Sequence, residues 1–182
     1  MKARMRKSLA GLGLTLIAGY VGAALPEPIT RDANDWKVQG QGEMRWFGLK
    51  LYEANLWSRG VVAAVDARLV FDRSFALELR YARNISAQAL VQASMEEIQR
   101  LGKLDEQRLA RWKIELERVF PNVQKNDVIV GVHLPARGAD FYHQGKLTGR
   151  IEDAELARAF FSIWLDERTS EPALRTRLLG AS

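Results

Sequence analysis

Five side chains in the first half of the chain could do chemistry together: Arg45, Tyr52, Arg80, Tyr81 and Arg83. A guanidinium and a phenol at the mouth of an apolar pocket would hold a carboxylate or enolate oxygen by charge-assisted hydrogen bonds. The competing explanation makes Tyr52 and Tyr81 core aromatics with a wet hydroxyl and the arginines surface charges, since arginine is seldom fully buried unless paired. Within one continuous strand Arg45 and Tyr52 would face opposite ways, so a bend or bulge is needed to bring them together. Arg80 and Tyr81, being neighbours, point apart on the same grounds.

Other chemistries fail on their residues. The sequence has no Gly-x-Ser-x-Gly elbow, no phosphate-binding loop and no His-Glu-x-x-His pair. Gly40-Gln-Gly42 lacks a third glycine and a strand-to-helix setting. His133 and His143 come from adjacent predicted strands without a carboxylate at a telling spacing, whereas zinc requires three or four ligands. No metal or cofactor is expected. Asp105 and Glu106, like Glu152, Asp153 and Glu155, sit at predicted helix starts, where the helix dipole favours carboxylates. Zero cysteines exclude disulfides, thiolate metal sites and thiol nucleophiles.

The elements that must position these residues follow from periodicity. Val38 to Trp46 and Phe47 to Trp57 read as two strands or one long bent hairpin, with Phe47, Leu49 and Leu51 alternating against Gly48, Lys50 and Tyr52. Gly40 and Gly42, inside the first of these, mark a bulge or a close backbone approach. Ala67 to Phe71 and Phe75 to Tyr81 read as strands, the latter with Leu77, Leu79 and Tyr81 on one face and Glu78 and Arg80 on the other. A helix capped by Ser86 carries Leu90, Val91, Met95, Ile98 and Leu101, and a second runs from about Asp105 to Val119 until Pro121 stops it. Strands return at Val128 to Leu134, Asp140 to His143 and Leu147 to Ile151. Asp153 caps a helix so apolar (Leu156, Phe160, Phe161, Trp164, Leu165) that it must be buried on most sides. Ser170 and Pro172 open a last helix. Strands, helices, hairpins and helices again give an α+β fold, an antiparallel sheet with helices packed on one face.

The first 24 residues read as an export signal. Lys2, Arg4, Arg6 and Lys7 precede an apolar run from Leu9 to Val21, and Gly22-Ala23-Ala24 offers small residues for cleavage before Pro26 and Pro28. The apolar run is short of the roughly 20 residues that span a bilayer, so no stable membrane anchor is expected after cleavage, and the periplasm is the expected compartment. Removing residues 1–24 leaves 23 basic and 22 acidic side chains, a net charge of +1. The basic footprint of a nucleic-acid binder is therefore absent. The 158 residues from 25 to 182 suffice for one core and one domain.

Gly40-x-Gly-x-x-Arg45, then Gly48-Leu-Lys-Leu-Tyr52 and Leu56-Trp57, resembles the opening hairpin of the bacterial chalcone isomerase-like proteins. The resemblance continues through Phe75-Ala-Leu-Glu-Leu-Arg-Tyr81, Glu96-Glu97-Ile98, Trp112, Phe120-Pro121, Gly145 to Gly149, Ala159 to Leu165 and the tail from Thr169 to Gly180. It implies an open-faced β-sandwich with a ligand cleft between sheet and helices. The wider superfamily includes plant enzymes that cyclise chalcones and non-catalytic proteins that bind fatty acids. The plant enzyme's early-strand arginine matches Arg45. Its catalytic threonine would fall within Trp46 to Gly48, and its helical tyrosine and asparagine within Ala89 to Glu96, where the matching side chains are missing.

The reading that follows is non-catalytic binding of a small apolar or amphipathic acid, a fatty acid or aromatic acid. Arg45, Tyr52 and Tyr81 would meet the head group, and Leu49, Leu51, Met95 and Phe161 would line the pocket. An isomerase of the intramolecular-lyase type with a rebuilt site, and a structural or partner-binding module with a vestigial cleft, are the alternatives. A connected apolar cavity favours the first two over the third.

Overall fold

The computed structural model describes residues 25–30, 35–59 and 70–180. The segment expected to direct export, residues 1–24, lies outside the described residues, as do the first three residues of the strand predicted over Ala67 to Phe71. The remainder of that prediction is corrected: Val70–Asp72 is a single 3-10 turn.

Six strands form one antiparallel meander: β1 (Trp36–Trp46), β2 (Leu49–Arg59), β3 (Phe75–Tyr81), β4 (Val128–Leu134), β5 (Gly138–His143) and β6 (Lys146–Ile151), each hydrogen-bonded to the next. A short helix, α1 (Glu27–Thr30), precedes them. The helices α2 (Ala87–Leu101) and α3 (Glu106–Val119) join β3 to β4, while α4 (Ala154–Leu165) and α5 (Pro172–Leu178) follow β6.

Local chemistry starts three of these helices where the sequence says. Ser86 Oγ accepts from the Ala89 N–H at 3.2 Å, and an Asp105 carboxylate oxygen accepts from the Arg108 N–H at 2.8 Å. Asp153 accepts from the Glu155 and Leu156 N–H groups, both at 2.9 Å, and from the Trp112 indole at 2.9 Å. Each cap satisfies amide donors that have no partner inside the helix. Ser170 does not cap α5: the cap position is Glu171, without a side-chain bond.

Packing separates the two faces of the sheet. Leu56, Leu77, Leu79, Ile129 and Phe141 face the helices and join Met95, Leu116, Leu156, Phe161 and Leu178 in the main core. Each such side chain contributes roughly 1.5–3 kcal/mol by leaving water. On the opposite face, Trp57, Ala76, Val130, Val132 and Tyr142 form a second cluster with Leu25 and with Ile29 of α1. This face is not simply solvated, and β3 is buried on both sides.

Two features shape the space above the sheet. The backbone of α5 lies directly on β1: a Cβ at Gly40 would stand 2.0 Å from the Arg177 carbonyl oxygen. The close approach anticipated from Gly40 is thus real, and a register shift between Val38 and Gly40 accompanies it. In contrast, α2 packs mainly on α3 and α4 rather than on the strands. A helix held on other helices leaves a gap beneath it.

Candidate functional site

That gap is a cavity of about 740 Å³, within the range of roughly 300–1,000 Å³ usual for small-molecule pockets. Leu77, Leu79, Ile129 and Phe141 of the sheet form one wall. Leu90 and Ala93 of α2 and Phe160, Phe161 and Trp164 of α4 form the other. It opens to solvent where Trp46, Ala93, Glu96 and Ser170 are exposed.

Tyr52 and Tyr81 bring its most deeply placed hydroxyls. They are direct cross-strand partners on β2 and β3, and their rings meet edge-on at 5.9 Å between centroids. Tyr52 Oη accepts from the Trp164 indole N–H at 3.0 Å, which leaves its own proton to give. The Tyr81 hydroxyl has no hydrogen-bond partner among the described residues, although its side chain is buried. Burial pushes both phenols well above their ordinary value. The Trp164 N–H opposes this at Tyr52, while the charges of Glu171 and Glu97 add to it; at Tyr81 the neighbouring Tyr52 adds to it. Both phenols remain protonated at physiological pH, so they offer O–H donors rather than bases.

Carboxylates edge the opening. Glu97 accepts from Arg100 at 2.7 and 3.0 Å and from Ser170 Oγ at 3.1 Å, and Glu96 accepts from Gln92 at 2.7 Å. Glu171 stands on the same rim. Among the described residues no lysine or arginine lines the cavity.

The residues singled out from sequence divide. Tyr52, Tyr81, Leu51 and Phe161 line the cavity together. Met95 is buried in the core but does not reach the cavity wall, and Leu49 is exposed beside the β1–β2 turn. Arg45 is turned away, correcting its expected place at the mouth. Met44, not Arg45, stands opposite Tyr52, and a register shift separates Met44 from Arg45. The guanidinium donates to Glu43 at 2.6 Å and to the Gly48 carbonyl at 3.1 Å, with about half its side chain in water (53%). Arg80 lies 3.8 Å from Glu78 on the opposite face, and Arg83 is exposed. His133 stacks on Phe75 with centroids 4.8 Å apart, and His143 lies 2.9 Å from Asp127.

Sequence reasoning missed Trp164, Glu97, Ser170 and Glu171 as site residues. Trp164 read as one more core aromatic. Its indole N–H, which needs a partner when buried, was the available signal.

The comparisons agree with this architecture. The chain matches the chalcone isomerase-like family over residues 18–180. An uncharacterized protein of Haemophilus influenzae is 26% identical over 145 residues, covering 80% of this chain and 68% of that protein. The crystal structure of a fatty-acid binding protein of Arabidopsis thaliana superposes with a TM-score of 0.65 at 12% identity, covering 81% of this chain and 88% of the other. At that identity the likeness concerns the fold. A six-stranded antiparallel meander with α2 to α5 on one face, matched along nearly its whole length, places the chain in the chalcone isomerase-like family.

Proposed function

We propose that the protein binds, without catalysis, a small and mostly apolar ligand with one acidic head group, such as a fatty acid or aromatic acid. The observation that carries this reading is the apolar cavity between sheet and helices, lined by Tyr81, whose hydroxyl has no partner among the described residues. Each methylene buried there contributes roughly 0.8 kcal/mol. The solved Arabidopsis relative, a fatty-acid binding protein, shares the fold and supports the same ligand class.

The head group meets Tyr52 and Tyr81 rather than Arg45, which is engaged elsewhere. With Glu96, Glu97 and Glu171 around the opening and no cation among the described residues that line the cavity, an ionised carboxylate is disfavoured and the protonated acid is preferred. The basic, apolar and small-residue pattern of residues 1–24 supports export to the periplasm with cleavage near Ala24.

Native mass spectrometry of protein isolated from the periplasmic fraction tests both parts. The expected result is a chain beginning within two residues of Leu25 that carries an amphipathic acid. Calorimetric titration with dodecanoic acid and dodecanol refines it. Acid affinity should rise about threefold from pH 8 to pH 5, as a one-unit upward shift of the bound carboxyl requires, while alcohol affinity stays flat. Failure of both to bind would remove the cavity as a ligand site.

A further inference from the structure

The β1–β2 hairpin ends in the two-residue turn Phe47-Gly48, flanked by the directly paired Trp46 and Leu49. Both turn residues have positive φ, 47° for Phe47 and 77° for Gly48. Turns of this kind favour Asn-Gly at these positions. A bulky residue there is strained, and such strain persists where function demands it. Phe47 gains nothing from burial in return, because 87% of it is in water. Trp46, at 60% exposure, meets it edge-on at 4.8 Å, and Leu49 is also exposed. Arg45 braces the turn through the Gly48 carbonyl. The fold thus holds three large apolar side chains in solvent at the end of a rigid ribbon.

We propose that this tip docks on a phospholipid bilayer, inserting Phe47, Trp46 and Leu49 among the lipid head groups and upper acyl chains. Three side chains at a narrow turn offer roughly 400 Å² of apolar surface, about half of what one partner gives to a stable protein interface. A bilayer requires no shaped counter-surface, and tryptophan favours its interfacial zone. Arg45 and Lys50 flank the tip nearest the turn, but Glu43 and Glu53 pair with them. Apolar insertion is therefore the main attraction. Trp46 belongs both to the tip and to the cavity lining. Docking consequently sets the cavity opening against the membrane, and an apolar ligand passes between them along a short route. This last step rests on the binding function proposed above; docking does not.

The test uses the chain as its own host processes it, with N-termini matched by intact mass, and compares wild type, Phe47→Asn and Phe47→Trp. Co-sedimentation is measured with phosphatidylcholine vesicles and with phosphatidylethanolamine–phosphatidylglycerol vesicles. Wild type and Phe47→Trp should bind both, and Phe47→Asn should bind at least tenfold more weakly. Because asparagine suits the turn, Phe47→Asn should also melt about 2–4 °C higher, which separates lost docking from lost folding. Dodecanoic acid binding in solution should be the same in all three. Equal vesicle binding by wild type and Phe47→Asn, no vesicle binding by wild type, or self-association through the tip instead would each overturn the proposal. Vesicle binding that depends on Phe47 in a protein that binds no dodecanoic acid would sustain docking and remove the cavity function alone.

Discussion

On the helix-covered face of β3, the buried side chain of Tyr81 brings to the cavity a hydroxyl that meets no partner among the described residues. On the other face of the same strand, Glu78 buries a carboxylate that meets three. Trp57 donates to it at 3.1 Å and Asn55 at 3.4 Å, and Arg80 lies at 3.8 Å. A polar group removed from water costs free energy unless a partner replaces the lost hydrogen bond. For Glu78 the protein supplies the partners and fills the surroundings. For Tyr81 it leaves space. Burial alone therefore does not mark a functional group; burial beside an unfilled volume does.

The strongest way to break this contrast is to fill the volume. Ala93→Trp, from an exposed position on α2 that lines the cavity, should leave folding intact and reduce dodecanoic acid affinity about a hundredfold, read by calorimetry. An unchanged affinity would move the ligand out of the cavity.

The two phenols sharpen it next. Tyr81→Phe removes a hydroxyl without a protein partner, so it should weaken ligand binding roughly tenfold while hardly moving the denaturation midpoint. Tyr52→Phe should weaken binding as well, but it also strips the Trp164 N–H of its acceptor. A buried donor left unpaired costs about 1–3 kcal/mol, which chemical denaturation would register. Equal stability losses for both variants would contradict the distinction between an occupied and a waiting hydroxyl.

The smallest effect belongs to Glu78. Burial raises its carboxyl above its ordinary value, against the opposing pull of Trp57, Arg80 and Asn55. A carboxyl whose folded pKa is raised contributes fully below its unfolded value, and that contribution is lost as pH climbs through the folded value. Wild type should thus lose a little stability as pH rises above about 4.5. Glu78→Gln should remove this slope in thermal melts across pH 4 to 8 without altering ligand affinity. A loss of binding would make Glu78 part of the site.

Much of this was legible in the sequence because it depends on local chemistry. Ser86, Asp105 and Asp153 each cap a helix through amides two or three residues away, and period-two alternation marks β3, whereas the alternation read from Phe47 to Tyr52 runs through the turn and an exposed Leu49. Arg45 was not legible in the same way. Its face depends on where the hairpin turns and on the shift after Met44, and a phenylalanine at positive φ gives no ordinary turn signal. The cavity was harder still. Its walls come from β1, β2, β3, β4, β5, α2 and α4, and its existence depends on α2 resting on other helices, which no single segment encodes. The alternation of Glu78 with Leu77 and Leu79 was read correctly, but the cover over its face, which includes Leu25 and α1, lies far away in sequence.

The seating of α5 on β1 has a consequence in time. Gln39 donates to the Leu179 carbonyl across 140 positions of sequence at 3.1 Å, beside the glycine that lets the helix backbone touch the strand. β1 is completed by α5, so native closure must wait for residues 172–180 to be synthesised. For a chain exported as proposed above, this ordering would be a safeguard: the emerging polypeptide would stay threadable until α5 is made.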